Sequence, residues 1–215
     1  MSEIMAVDNA NRICITEFGI KVKYVCYGWM RIIFKFNDLI IDFTADTTLS
    51  SPLAELVHAT LDLEDYKDSD YEMQAVLEDS LEKLIFLLSW DSNKDVLLKV
   101  TREYEETIDE NHNIHPAYKE EWDFIMNFAC WKVVVLVLCL DLLKKYGLLG
   151  VNSNMGRDSF PIDGMLRLCY NHIHITQNED SKYSDFYEDI KLLKKLVSRI
   201  DESDDLFRGE LLKFI

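Results

Sequence analysis

Two pairs of closely spaced histidines are the side chains most suited to binding a metal ion. His112 and His115 lie in "NHNIHP", and His172 and His174 lie in "NHIHI". Imidazoles two or three positions apart in the sequence can bind one zinc ion, which activates water for hydrolysis. Both pairs lie in polar connections, and nothing in the sequence brings the pairs together. A metal-dependent hydrolase is therefore an alternative hypothesis, and no cofactor or metal site is assigned.

Other catalytic signatures are missing from the sequence. The chain contains no G-x-G-x-x-G, G-x-x-x-x-G-K-[ST], H-E-x-x-H or G-x-S-x-G motif, the patterns that position phosphates, zinc or a nucleophilic serine. Carboxylates are abundant, but no pair is distinguished as a glycosidase-type acid and base. We therefore assign no catalytic residues, and a protein that acts by binding is favoured.

The acidic charge is concentrated in one part of the chain. The formal net charge is −16, and residues 51–125 hold 20 acidic against 6 basic side chains. This sign disfavours binding to a nucleic-acid backbone or to an anionic membrane surface. It favours a protein partner with a basic surface, because opposite charges speed association. The predicted partner-binding residues are acids and tyrosines of the stretches 64–82 and 103–121: Glu64, Asp65, Asp68, Asp70, Glu72, Glu103, Glu105, Glu106, Asp109, Glu110, Tyr66, Tyr71 and Tyr104.

The most apolar stretch, "CWKVVVLVLCLDLLKKYGLLG", predicts a core helix. Its uninterrupted apolar run is too short for the ~20 residues that span a bilayer. Lysines near its end followed by Gly147 are typical of a helix C-terminus, so a largely buried helix is expected over 129–146, with a central strand as the alternative. The five cysteines form no C-x-x-C and are interpreted as reduced, which together with the absence of a secretory signal predicts a cytoplasmic location.

Strands are predicted mainly by alternation of apolar and polar residues. In "WMRIIFKFNDLIIDFTAD", a two-residue turn at Asn37-Asp38 pairs Phe36 with Leu39, Phe34 with Ile41 and Ile32 with Phe43, all on one face. Further strands are expected at 20–27, in "RICIT", on both sides of a turn at 91–95, and in "EWDFIMNFA". Residues 103–120 are expected to form a polar connection.

Helices are predicted between and after these strands. One should span about 52–62, with Ser51 as its cap and Pro52 in its first turn. A short helix is expected from Tyr71 and another near Pro161, and an amphipathic helix lies in the tail. Runs of strands with helices between and after them indicate an α+β fold, with an antiparallel or mixed sheet and helices packed on one face. The expected division is an α+β domain over 1–175 and a C-terminal helical extension over 176–215.

The order of these segments resembles that of a family of small bacterial α+β proteins. The resemblance covers about residues 20–170 and is carried by the aromatic hairpin, "SSPLAELVHATLDL", an acidic stretch with a hairpin, "FACWKVVVLVLCLDLLKKYG" and "FPIDGMLRL". Some members of this group resemble immunity proteins of polymorphic toxin systems. The resemblance implies an inhibitor that covers a basic toxin domain. It transfers no individual site residue, because such proteins bind through variable surfaces.

The sequence thus predicts a non-catalytic acidic protein-binding module, with an immunity-type inhibitor as its most concrete form. Two alternatives stay open. One is the metal-dependent hydrolase, and the other is a regulatory subunit whose C-terminal helix docks on a larger assembly.

Overall fold

The structure, a computed structural model, describes residues 12–67, 70–108, 114–155 and 160–169. The strands are β1 (Ile13–Cys14), β2 (Phe18–Cys26), β3 (Trp29–Phe36), β4 (Leu39–Asp46), β5 (Met73–Glu78), β6 (Glu82–Trp90), β7 (Val96–Tyr104), β8 (Thr107–Ile108), β9 (Ile114–His115) and β10 (Tyr118–Met126). The helices are α1 (Pro52–Asp65), α2 (Phe128–Asn154) and α3 (162–169). The mixture of antiparallel and mixed sheets with helices confirms the predicted α+β class. The proposed C-terminal extension lies outside the described residues.

Two sheets supply most of the strands. The larger has the order β1-β10-β7-β6-β5, with β1 parallel to β10 and the other pairs antiparallel, and the smaller is the antiparallel meander β2-β3-β4. The β3–β4 register confirms the predicted hairpin, because Phe36, Phe34 and Ile32 lie opposite Leu39, Ile41 and Phe43. β8 and β9 form a separate two-stranded ribbon.

Aromatic side chains join the two sheets into one core. Phe34 and Phe86 have ring centroids 4.9 Å apart, and Phe36 stacks on Phe124 at 4.7 Å. Trp131 of α2 stacks on Phe18 at 5.3 Å and donates its indole N–H to the Thr60 hydroxyl of α1 at 2.9 Å. Both sheets and both long helices therefore contribute to a single apolar interior.

Each long helix packs against the sheet that does not immediately precede it in the chain. α1 follows the three-stranded sheet but lies against β5 of the larger sheet, whereas α2 follows the larger sheet and lies against β2 of the smaller one. At the edge of β5, the Val76 N–H donates to the Glu55 carboxylate (3.4 Å) and the Glu78 N–H donates to the Ser50 hydroxyl (3.1 Å). Side chains beside α1 thus satisfy edge groups that could otherwise pair with another strand.

The long apolar stretch is a helix, so the alternative of a central strand is wrong. Asn127 caps α2 by accepting a hydrogen bond from the Ala129 N–H at 2.9 Å. The predicted end at Gly147 is an interruption, with φ 66° and ψ 168°, after which helical backbone resumes up to Asn154. No helix among the described residues is long and apolar enough to cross a membrane.

Two local predictions were wrong, and a third was correct in its position only. The expected short helix from Tyr71 is replaced by β5, which pairs with β6 along its whole length. The expected polar connection over 103–120 contains β8 and β9 as well as the first residues of β10. Ser51 occupies the N-cap position of α1 but makes no side-chain capping bond.

Candidate functional site

The predicted partner-binding residues lie at opposite ends of the five-stranded sheet. β5 begins with Met73 opposite Leu88, near the end of the sheet where Trp90 pairs with Val96. β7 runs from Val96 to Tyr104, so Tyr104 lies at the other end, roughly 25 Å away at the usual rise per strand residue. The predicted partner-binding residues of the two stretches therefore form two separate surfaces, one at each end of the sheet.

The first surface, here called the Tyr66 surface, lies where α1 ends and β5 begins. It consists of Asp65, Tyr66, Asp70, Tyr71 and Glu72, all of them exposed. The Trp90 indole N–H donates to the Leu63 carbonyl at 2.7 Å, which holds the end of α1 against the end of β6. Tyr66 and Tyr71 are 53% and 66% exposed and meet edge to face, with ring centroids 6.1 Å apart.

Two acids near this surface already have cationic partners. Glu64 Oε1 lies 2.6 Å from the Lys132 ammonium, and its side chain is only 13% exposed, so Glu64 belongs to the interior. Asp65 pairs with Arg167 of α3 at 2.9 Å, with both side chains largely exposed. An exposed pair of this kind contributes little to stability and can be exchanged for a partner's charge.

The turn between β6 and β7 adds acidic charge at the same end of the sheet. Asp91 accepts hydrogen bonds from the Asn93 and Asp95 N–H groups, both at 2.8 Å, and this fixes the turn. The sequence analysis predicted the turn but did not connect its aspartates with Tyr66 and Tyr71. The long-range pairing of β5 with β6 is what brings them to one end.

The second surface, here called the Glu103 surface, consists of Glu103, Tyr104, Glu105 and Glu106. Glu103 lies in a cross-strand row between Lys83 and Lys119, and the Lys119 ammonium approaches its carboxylate at 3.3 Å. The same ammonium lies 2.9 Å from Glu121, and its hydrogen bond lowers the pKa of that carboxyl. Of the acids of this surface, Glu103 is therefore already paired within the sheet.

Tyr104 is also occupied by its neighbours. Its ring stacks on Tyr118 at 4.0 Å, and the Arg102 guanidinium lies 4.9 Å from the ring centroid while pairing with Glu82. Burial and a hydrogen bond with Tyr118 raise the pKa of Tyr104. An open depression beside this stack is lined by Lys83, Glu103, Tyr104, Glu105, Glu106, Ala117, Tyr118 and Lys119. Lys83, Tyr118 and Lys119 were not predicted as site residues. Tyr118 and Lys119 precede the predicted start of the last strand, and the position of Lys83 opposite Glu103 follows from the β6–β7 register.

Several predicted residues lie outside the described part of the chain. Asp68, Asp109 and Glu110 are among them, as are His112, His172 and His174. His115 is an exposed residue of β9. In residues 12–67, 70–108, 114–155 and 160–169, no group of three or more histidine, cysteine or acidic side chains is arranged to hold a metal ion.

Comparison with known proteins gives no relative: no family model, curated protein sequence or solved structure matches this chain.

Proposed function

We propose that this chain is a non-catalytic acidic protein-binding module that binds a basic partner protein through the Tyr66 surface. The observation that carries the proposal is the pair of exposed tyrosines in mutual contact, with Asp65, Asp70 and Glu72 around them. Binding energy at interfaces is concentrated in a few aromatic anchors, whereas flanking charges mainly set the association rate and select the partner.

The Glu103 surface supports this role less well. Glu103 is already paired within the sheet, and Tyr104 is stacked and held beneath Arg102. A partner would have to break these contacts before making its own. At the Tyr66 surface, the Asp65–Arg167 pair is exposed on both sides, and the rings of Tyr66 and Tyr71 are themselves 53% and 66% exposed, so a partner can reach them directly.

The most concrete form of the proposal is an immunity-type inhibitor that covers a basic toxin domain. This form rests on the acidic charge and on the family resemblance of the sequence. Such an inhibitor needs no catalytic group, only a surface that complements the basic substrate-binding face of its target.

The test is a purification of partners from a lysate of the native host by the tagged chain, with variants that separate the two surfaces. One variant is Tyr66→Ala/Tyr71→Ala, which keeps every charge, and a second is Asp65→Asn/Asp70→Asn/Glu72→Gln. The matched control, Glu105→Gln/Glu106→Gln, neutralises acids at the far end of the sheet.

We expect wild type and the control to retain the same basic protein in stoichiometric amount, and high salt to release it. The tyrosine variant should weaken the affinity at least tenfold, because loss of an aromatic anchor usually costs about 2 kcal/mol of binding free energy. The triple charge variant should slow association and flatten its salt dependence. Equal retention by all three variants, or no basic partner at all, would contradict the proposal.

A further inference from the structure

A groove with basic side chains lies between β2 and α2. Its volume is about 480 Å³. Apolar side chains from both elements and four charged side chains line it: Ile20, Val22, Leu138 and Leu142, together with Lys21, Asp141, Lys144 and Lys145. Three lysines against one aspartate make the groove positive.

This charge is unusual for the protein. The chain as a whole carries −16, yet residues 18–36 contain four basic side chains and no acid. Lys21 and Lys144 are exposed, and neither forms an ion pair with any residue that the structure describes. A segment that fills the groove should therefore combine acidic residues with apolar ones.

The groove runs along a strand edge that can accept another strand. β2 is an edge strand of its sheet. Because the turn at 37–38 has two residues, the backbone N–H and C=O groups of even-numbered residues in β3 face β4, and those of odd-numbered residues face β2. In β2, the residues opposite these odd-numbered positions bond to β3. The N–H and C=O groups of Ile20 and Val22 therefore lie on the outer edge of β2. An extended segment could pair with these groups.

Beyond Val22, the same edge is already covered by α2. The Lys145 ammonium donates to the Lys23 carbonyl at 3.1 Å, and the Val25 N–H donates to the Tyr146 hydroxyl at 3.4 Å. The available edge is thus confined to the part of β2 that lies in the groove, which is long enough for a short strand only.

We propose that this groove holds residues 201–207 of the same chain, "DESDDLF", as an additional short strand on the edge of β2. The segment has four acids and no basic residue, and it ends with the apolar pair Leu206 and Phe207. These properties match the lysines and the apolar lining.

The chain can reach the groove. The last described residue, Cys169, lies close enough to Cys139 for the two side chains to interact electrostatically, and Cys139 adjoins Leu138 of the groove. Residues 170–200 connect this point to the acidic segment, and even with the predicted amphipathic helix in their second half they would span on the order of 70 Å. The proposal does not depend on the Tyr66 surface, so either can fail alone.

The first test is zero-length carbodiimide coupling of the full-length protein, followed by peptide mass spectrometry. We expect amide links from Lys21 or Lys144 to the acids at 201–205, formed within one chain. Equal mixing of ¹⁴N- and ¹⁵N-labelled protein identifies links between two copies. Links between copies only, or links from these lysines to other acids only, would overturn the proposal.

The second test is amide hydrogen exchange at Ile20 and Val22 in charge-swapped proteins. Lys21→Glu/Lys144→Glu should increase both exchange rates at least tenfold, and adding Asp204→Lys/Asp205→Lys should restore the slow exchange. The control Lys67→Glu/Lys94→Glu changes two exposed lysines away from the groove and should leave both rates unaltered. Unchanged exchange in the first variant, or no restoration in the second, would show that another segment or none occupies the groove.

Discussion

At the scale of single residues, the buried ion pair of Lys132 and Glu64 could not be predicted from composition or spacing, because the two residues are far apart in the sequence. Lys132 is 1% exposed, and burial lowers the pKa of its ammonium, which contact with Glu64 partly offsets. A buried ion pair contributes little net stability, but an unpaired buried charge is costly.

Lys132→Met should therefore destabilise the protein by about 3 kcal/mol, because it removes the ammonium that balances the charge of the mostly buried Glu64 carboxylate. The double variant Lys132→Met/Glu64→Gln should recover most of this loss. Urea unfolding of both variants and wild type measures the difference. A double variant as unstable as the single one would show that the ammonium stabilises the fold through other contacts.

The same lysine predicts a pH dependence. Because its pKa is lower in the folded chain than the usual 10.5, the unfolded chain binds more protons between these two values. The free energy of unfolding of wild type should therefore rise, relative to that of the double variant, as the pH increases through this window. Below the window, burial of the charged ammonium lowers the stability of wild type by its full amount. Parallel pH profiles over the whole range up to pH 10.5 would contradict the shift.

Asn37 is a turn residue with a second role. It has φ 51°, and its amide accepts hydrogen bonds from the Thr16 and Glu17 N–H groups, each at 3.0 Å, and donates to the Cys14 carbonyl at 2.9 Å. The turn could be predicted from its sequence, but the clamp on residues 14–17 could not, because it depends on a contact between distant parts of the chain.

Asn37→Gly keeps the backbone conformation and removes the clamp. We expect a loss of about 1–2 kcal/mol, the usual net contribution of such bonds, and faster amide exchange at Thr16 and Glu17. Urea unfolding and exchange measured by NMR test the two effects. Unaltered exchange at these two amides would mean that β1 alone holds the segment in place.

At the scale of elements, the interruption of α2 depends on a residue without a side chain. Gly147 has φ 66° and ψ 168°, a backbone conformation that only glycine adopts without strain. Gly147→Ala should cost about 1–3 kcal/mol. Gly150→Ala is the matched control within the same helix, since its new Cβ meets only Tyr146 Cβ at 3.4 Å.

We expect the control to be neutral or stabilising by up to about 1 kcal/mol, as alanine favours helical backbone. Thermal unfolding of both variants is the measurement. An equal loss in the two would indicate that tight packing, and not backbone conformation, limits this part of α2.

The apolar and turn patterns of the sequence predicted helices and strands correctly where local preference agreed with the long-range strand pairing. The hairpin around Asn37 combines a turn dipeptide with matching apolar alternation, and its register was predicted correctly. β5 was missed because "MQAVLE" consists largely of good helix formers, and pairing with β6 overrides that preference. The candidate site was predicted by residue type only. Its separation into two surfaces follows from strand register, which no local pattern of the acidic stretches contains.

At the scale of the whole molecule, charge repulsion opposes folding. The charge of −16 is concentrated in residues 51–125, which fold into α1 and most of the larger sheet. Screening over about 10 Å at 0.1 M salt should relieve this repulsion more than it weakens the exposed ion pairs.

We therefore expect the free energy of unfolding to increase when sodium chloride is raised from about 0.02 to about 0.3 M, concentrations at which the screening length falls from tens to a few ångströms. Glu105→Gln/Glu106→Gln should respond less to salt than wild type. Urea unfolding across this range is the measurement, and stability that falls with salt would mean that the ion pairs outweigh the repulsion.

Because each long helix packs against the other sheet, the order of synthesis limits the order in which the molecule can fold. α1 covers a strand that is synthesised after it, and β2 is covered by a helix that emerges much later. During synthesis, Phe34 and Phe36 therefore remain exposed to water until later parts of the chain have emerged from the ribosome. The residues that bury them include Phe86, Phe124 and Trp131. Nascent chains of this protein should accordingly be prone to aggregation until α2 leaves the exit tunnel, and neither half should persist as a folded fragment without the other.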